Sequence, residues 1–476
     1  MNNEQYGKCP GHSHNCEGGG ITRRQTLAVL GAGAVTAAAS VVLGGCTSKV
    51  NKAIEGAQTE VRAAKNLGQV ALRKNPRTSQ MVSLLGYGCM RFPTIIQGGK
   101  EIIDEALSQK LIDTAYAHGV NYYDTAYVYH NGTSEAFVGR ALKKYPRESF
   151  YLATKMPGFM VSSLEHGKEI FEEHLRNLQT EYIDYYLLHN LNNFELFKRV
   201  YEEYGLLDYL LEQKKAGRIR NLGWSFHGNS ELFQYVLNKG IDWDFVQIQL
   251  NYHDWDLGPA VNDAQHPVTA KWMYNELAKR NIPIIVMEPL LGGGLASLPR
   301  GGNAILKEAA PDKSVASWAF RFCASLPSVL TILSGMTYME HLEDNISTFS
   351  PLKTLTALEQ KVLANAVGST EKGSQRIPCT GCRYCVPCPF GVAIPDVFRN
   401  YNKNVVDHEI PASKRDPNYA KAVSTYLSEY NRTVPKEAQA DHCVGCGACL
   451  PKCPQKINIP AELESIQAFT ERLRAK

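Results

Sequence analysis

The feature that most constrains this chain is a repeat of local pattern. From about Met81 to Leu352, eight strand-like runs alternate with helical ones. The runs read VSLLGYGCM, NYYDTA, FYLATK, IDYYLLHN, RIRNLGWSF, FVQIQLNY, IPIIVMEPL and VLTILSG. Between them lie amphipathic stretches such as EEHLRNLQT, YLLEQKKAG and ELFQYVLNKG, most closing on Gly, Asn or Pro as helix stops do. Eight such units in about 270 residues match an α/β fold of the (β/α)8 TIM barrel type, with an open doubly wound sheet as the runner-up. The remaining length is room for a second, smaller domain. A composition of 44% hydrophobic and 21% charged residues excludes collagen-like and wholly disordered chains. The net charge is only +4 and no basic stripe with interleaved aromatics is present, so no nucleic-acid partner is indicated.

In a barrel of this kind, chemistry belongs at the C-terminal ends of the strands. Asp124, Tyr129, Lys155 and His189 all fall at such ends or just beyond them. A phenol with a pKa near ~10 is a weak acid at neutral pH, and a nearby ammonium eases its ionisation. Lys155 is placed to supply that ammonium, Asp124 to hold it charged, and His189 to hydrogen-bond a substrate oxygen. Singly, each has a plain reading: a tyrosine in a Tyr-rich loop, a solvated strand end, a helix cap, a satisfied core histidine. Their joint order and placement favour the chemical one.

The segment Asn121-Tyr-Tyr-Asp124-Thr-Ala-Tyr-Val-Tyr129, with Ser134-Glu135 and Gly139-Arg140-Ala141-Leu142 after it, resembles the aldo-keto reductase signature. Leu152-Ala-Thr-Lys155 and Leu188-His189 fall where that family has its lysine and histidine, and the resemblance spans about residues 80–350. It implies hydride transfer between NADP(H) or NAD(H) and a small carbonyl substrate. Tyr129 is then the general acid/base, Lys155 and Asp124 tune it, and His189 orients the carbonyl. The same resemblance implies nucleotide contacts at Ser225, Gln247, Met287, Leu290, Gly335 and Asn345. Phe226 stands where the family often has asparagine, and Met287 where a tyrosine often stacks on the nicotinamide. Gly335 and His341 replace a lysine and an arginine that commonly grip the 2′-phosphate, which predicts weak discrimination between NADP and NAD.

Cysteine usage divides the chain again. Of 13 cysteines, eight lie between Cys379 and Cys453. Residues 443–454 read C-V-G-C-G-A-C-L-P-K-C-P, the spacing in which three thiolates hold one cubane and the fourth cysteine ligates the other cluster. Residues 379–389, C-T-G-C-R-Y-C-V-P-C-P, have one residue fewer before the fourth cysteine, which makes Cys388 the least secure ligand. The rule assigns Cys379, Cys382, Cys385 and Cys453 to one [4Fe–4S] cluster, and Cys443, Cys446, Cys449 and Cys388 to a second. Disulfides fit cysteine triplets poorly, and zinc usually takes two CxxC pairs. The helical text between the motifs, such as YAKAVSTYLSEYNR, resembles an α-helical ferredoxin module, an appendage carried by a branch of the aldo-keto reductase family.

The N-terminal residues read as a leader. Arg23-Arg24 precede an apolar run from Leu27 to Leu43 that is short for a membrane span, followed by small residues and Cys46. Thr22-Arg-Arg-Gln-Thr-Leu27 resembles a twin-arginine signal, and Leu43-Gly-Gly-Cys46 a lipobox with a lipid anchor at Cys46. Gly31-Ala32-Gly33 follows no strand and is not a dinucleotide fingerprint. Cys9, His12, His14 and Cys16 have metal-ligand spacing but leave with the leader. The expected organisation is a signal over 1–46, a linker over 47–78, the barrel over 79–355 and a dicluster domain over 356–476. This places the protein outside the cytoplasm as a periplasmic or cell-envelope lipoprotein, with a cytoplasmic reductase as the alternative. A second functional class also stands: an accessory protein whose clusters relay electrons to a membrane or periplasmic redox partner, with the barrel as a scaffold holding nucleotide.

Overall fold

Eight parallel strands close into a barrel: β1 (Leu85–Gly88), β2 (Tyr122–Asp124), β3 (Tyr151–Met156), β4 (Ile183–Leu191), β5 (Ile219–Phe226), β6 (Phe245–Gln249), β7 (Ile284–Met287) and β8 (Val329–Ser334). They neighbour one another in chain order, and β8 pairs β1 in parallel register, Ile332 opposite Leu85. The structure is a computed structural model that describes residues 67–257, 268–298, 300–371, 376–406 and 417–475. The expected leader, with Arg23, Arg24, Cys46 and the upstream Cys9, His12, His14 and Cys16, lies outside the described residues. Among those described, no helix is long and apolar enough to cross a membrane.

The crossover helices are α1 (Glu105–Ala117), α2 (Ser134–Leu142), α3 (Leu164–Leu178), α4 (Leu206–Lys215), α5 (Ser230–Leu237), α6 (Ala270–Ala278), α7 (Val315–Ala324) and α8 (Met339–Phe349). Several start on a polar cap, as their sequence demands. Ser163, Asn229, Thr269 and Ser314 each accept a backbone N–H of the first turn of α3, α5, α6 and α7. The shell between helices and strands is apolar, and Trp224, Trp243 and Trp318 are among its largest fully buried side chains. The barrel interior is filled rather than hollow. Tyr185 meets both Tyr122 and Phe245 edge to face, with centroids 5.0 Å apart in each contact, beside Ala153, Ile285 and Leu330. The open end for chemistry is therefore the C-terminal one.

Two expected boundaries move. The first strand-like run splits: Met81–Ser83 pairs antiparallel with Leu72–Lys74, and the barrel strand begins only at Leu85. Val70 joins the main core and Arg73 donates to the carbonyls of Leu326 and Ala324, so residues 67–78 belong to the barrel rather than to a linker. At the other end, α9 (Ala357–Glu371) packs Leu363 and Ala366 against Leu306 and Trp318, and Arg321 on α7 bonds Glu359 at 2.6 Å. The barrel body thus extends past residue 355. Both shifts have one cause: short polar text resembles a spacer even where a few buried side chains anchor it.

The C-terminal module is helical among its described residues. α10 (Ile394–Val406), α11 (Tyr419–Thr433) and α12 (Ile459–Arg474) enclose a small core of Val397, Phe398, Tyr430, Ile459, Leu463 and Ile466. Its cysteine loops face the C-terminal end of the barrel, where Gln455 Nε2 donates to Gln249 Oε1 at 3.0 Å.

Candidate active site and cysteine centres

Strand alternation aims the first group of side chains. On β3, Thr154 points outward to Glu135 of α2, so Lys155 points inward to the barrel mouth. Lys155 Nζ donates to Asp124 Oδ1 at 2.6 Å, to the Thr125 carbonyl at 2.7 Å and to Tyr129 Oη at 3.3 Å. All three ammonium donors are thereby used, in a residue only 1% exposed. Tyr129 follows β2 in a tight turn that His130 and Asn131 continue with left-handed backbone, and the His130 ring accepts the Phe92 N–H. His189 sits in a stretch of β4 where the register with β5 shifts and Asn190 adopts φ 56°, a bulge of the kind that re-aims a side chain.

Burial dominates the electrostatics of the site. Burial, then the Asp124 carboxylate, push the Tyr129 phenol well above its ordinary pKa. Lys155 Nζ lies 3.3 Å from the Tyr129 oxygen, where it can stabilise a phenolate once one forms. Tyr129 is a protonated phenol held in place, a proton donor rather than an incipient phenolate. His189 moves the other way: burial and the Lys155 charge hold it well below the usual histidine range, so its ring is neutral. Its Nδ1 has no partner, and its Nε2 is hydrogen-bonded with Tyr384 Oη at 3.1 Å.

These four residues open on a cavity of about 590 Å³ that is also lined by Ser225, Gln247, Met287, Leu290, Gly335 and Asn345. These ten residues and His341 therefore share one wall system, whereas Phe226 does not line it. Gln247 and Ser225 are register partners on β6 and β5, and Gln247 Oε1 is buried without a partner, an acceptor suited to a carboxamide N–H. Met287 presents its sulfur to Gln247 Nε2 at 3.5 Å. Gly292 and Gly293 turn the following loop with φ of 66° and 96°. Glu340, His341 and Asp344 border the same cavity, and Gly335 packs against the stem of Arg91. The residues present fit a nicotinamide nucleotide.

The eight clustered cysteines form two sets. One hollow is lined by Cys379, Cys382, Cys385 and Cys453, and another by Cys388, Cys443, Cys446 and Cys449 with Cys385 at its edge. Cys388, the doubtful member by spacing, joins the second motif's triplet. The cis peptide Val386–Pro387 lies in its approach. Arg383, Gly381, Gly445 and Gly447 carry positive φ in these loops, turning the chain around each hollow. All ten described cysteines are free, and no three His, Cys, Asp or Glu among the described residues converge as they would around a single ion. Thiols ringing a hollow fit a cubane better than one zinc.

Residues 84–360 match the model of the aldo/keto reductase family, more than half of the chain. The chain belongs to the aldo/keto reductase family. As a member it is an NAD(P)H-dependent oxidoreductase. Residues 378–458 match a 4Fe-4S dicluster domain, so this reductase carries an iron–sulfur module. It is 25% identical over 312 residues to the uncharacterized oxidoreductase YqkF of Bacillus subtilis, covering 59% of this chain and 92% of that protein. It is also 25% identical over 305 residues to an NADH-specific methylglyoxal reductase of Escherichia coli, covering 54% of this chain and 87% of that protein. Among solved structures, the holo form of an aldo-keto reductase from Bacillus halodurans matches with TM-score 0.50 and 24% identity, covering 63% of this chain and 96% of that one, a likeness of fold.

Three residues of this site escaped the sequence. Tyr384, Thr380 and Gln455 come from the cysteine module, yet Tyr384 and Thr380 line the reductase cavity and Gln455 bonds β6. Nothing in the motif C-R-Y-C marks its tyrosine. Only docking of the module on the barrel brings it to His189.

Proposed function

We propose that this protein reduces a small carbonyl compound, with Tyr129 as the proton donor and an iron–sulfur module beside the pocket. The observation that carries the reading is the convergence of a protonated Tyr129, the fully bonded Lys155–Asp124 pair and a neutral His189 on one cavity. When bound, the nicotinamide supplies the hydride. Ser225 and Gln247 would orient its carboxamide, Met287 would offer an apolar face to the ring, and Leu290, Gly335 and Asn345 would hold the rest of the nucleotide. His189 holds the substrate oxygen from one side and Tyr129 from the other. As negative charge builds on that oxygen, Tyr129 gives up its proton, and Lys155 stands 3.3 Å away to stabilise the phenolate left behind. Glu340 and Asp344 near His341 disfavour a 2′-phosphate, which supports use of NADH as well as NADPH. The test is oxidation of NADH and NADPH with methylglyoxal. Tyr129→Phe should lower kcat by about 10²–10⁴-fold, the usual weight of a general acid; a loss below tenfold would overturn the role.

A second reading draws support from Cys382, which lines the same cavity as Tyr129. In it the two clusters, when present, carry single electrons to a membrane or periplasmic redox partner and the barrel holds nucleotide. Steady reduction of an artificial one-electron acceptor without carbonyl turnover favours this reading. We further propose that the protein is exported and lipid-anchored at Cys46, on the strength of the Arg23-Arg24 leader and its lipobox. An N-terminal mass showing an intact Met1 and an unmodified Cys46 in membrane fractions refutes it.

A further inference from the structure

Tyr384 belongs to the cysteine module but works in the barrel. It lies between Cys382 and Cys385, its hydroxyl is hydrogen-bonded to His189 Nε2 at 3.1 Å, and it lines the same cavity as Tyr129. Its ring meets the His189 ring edge to face, with centroids 6.1 Å apart. It borders both the 590 Å³ cavity and a second cavity of about 1610 Å³, as do Tyr129 and Cys382.

The placement is built, not incidental. Arg91 donates to the Thr380 carbonyl, and Gln455 and Gln249, joined at 3.0 Å, are both almost fully buried. Gly292, at φ 66°, comes so close that a Cβ there would sit 2.4 Å from Thr380 Cα. A docked backbone therefore delivers Tyr384 to the pocket.

An imidazole nitrogen offers one in-plane hydrogen or lone pair, so His189 Nε2 serves one oxygen at a time. The substrate oxygen of the reaction proposed above needs that nitrogen together with Tyr129, and Tyr384 now holds the nitrogen. We propose that Tyr384 is a specificity-determining residue of the substrate site. Its hydroxyl occupies the oxygen position at His189 Nε2, in the cavity that Tyr129 also lines, and a carbonyl compound binds by taking over that hydrogen bond. The cysteine module is then part of the substrate pocket, whatever electrons its clusters carry. This rests on the carbonyl-reductase reading.

The test is calorimetric titration of methylglyoxal into the full-length, cluster-loaded protein saturated with oxidised nucleotide, where no turnover occurs. Tyr384→Phe keeps the ring and removes the competing hydroxyl, and should tighten binding about fivefold, ~1 kcal/mol by the worth of one net hydrogen bond. Tyr384→Leu, also without the hydroxyl, should tighten it in the same direction. In steady state the change should fall on KM more than on kcat. Iron content and the cluster absorbance equal to the unmodified protein show that the module is intact. Binding by the unmodified protein that is unchanged or weakened in both variants overturns the proposal and leaves the reductase reading standing. Absence of both binding and turnover in all three proteins overturns the carbonyl reading, and the proposal with it.

Discussion

Replacing Lys155 by methionine tests the centre of the site most directly. The side chain is 1% exposed and its ammonium lies 2.6 Å from Asp124 Oδ1, which is itself 3% exposed. Methionine preserves most of the length and apolar contact but leaves the Asp124 carboxylate buried without its partner. Removing one member of a buried pair costs about 3–5 kcal/mol. That is a large share of the roughly 5–15 kcal/mol that holds a typical domain. Burial already pushes the Asp124 carboxyl up, with the Lys155 charge and hydrogen bond pulling it back, so the variant should also carry a protonated Asp124. Asp124→Asn strands the ammonium instead. The double variant removes both charges and should recover about 1–3 kcal/mol relative to the sum of the single losses, as coupled neighbours do. Urea unfolding followed by tryptophan fluorescence is the assay, because all five tryptophans, Trp224, Trp243, Trp255, Trp272 and Trp318, lie in the barrel. A loss under about 1 kcal/mol for Lys155→Met, or strict additivity in the cycle, would refute the claim that this pair is desolvated and interdependent.

Three further outcomes are expected. Cys453→Ser should remove the cluster held with Cys379, Cys382 and Cys385, and Cys388→Ser the one held with Cys443, Cys446 and Cys449. Each should leave about half the iron, with distinct residual spectra, and identical spectra in the two variants would contradict the grouping. Binding of NADPH should exceed that of NADH by less than ~100-fold, since the pair of cations that would grip the 2′-phosphate is replaced by Gly335 and His341; fluorescence titration of each nucleotide measures the ratio. Burial, followed by the Lys456 charge, holds His227 down at about 4, so the unfolded chain binds a proton that the native one does not. Stability should therefore be intact above pH ~6.5 and fall as pH drops toward about 4, with His227→Gln removing up to about one proton from the slope; an unchanged slope would show that His227 is solvated.

The parts of the site legible in sequence are those whose signal is local. Asp124, Lys155 and His189 end predicted strands, and strand alternation alone turns Lys155 into the barrel. The spacing of the two cysteine motifs predicts cross-ligation, and Cys388 lines one hollow with Cys443, Cys446 and Cys449. Where the reading slipped, the deciding contact is remote. The 67–78 segment looks like spacer until Val70 and Arg73 are seen anchored on the barrel. Tyr129 looks like an eased phenol until its burial, and then the Asp124 charge, are seen to push it up.

What the amino-acid sequence determined by itself is the inventory: a barrel with its chemistry at one end, and two sets of thiols spaced for clusters. Periodicity and spacing are properties of neighbours along the chain, so they survive without coordinates. What only the tertiary structure decided is that the two halves share a pocket. Tyr384 and His189 are 195 positions apart, and no local pattern encodes a hydrogen bond between them. That contact exists because the module docks through Gln455 and through the close approach that Gly292 permits, and docking is set by the matching of two folded surfaces.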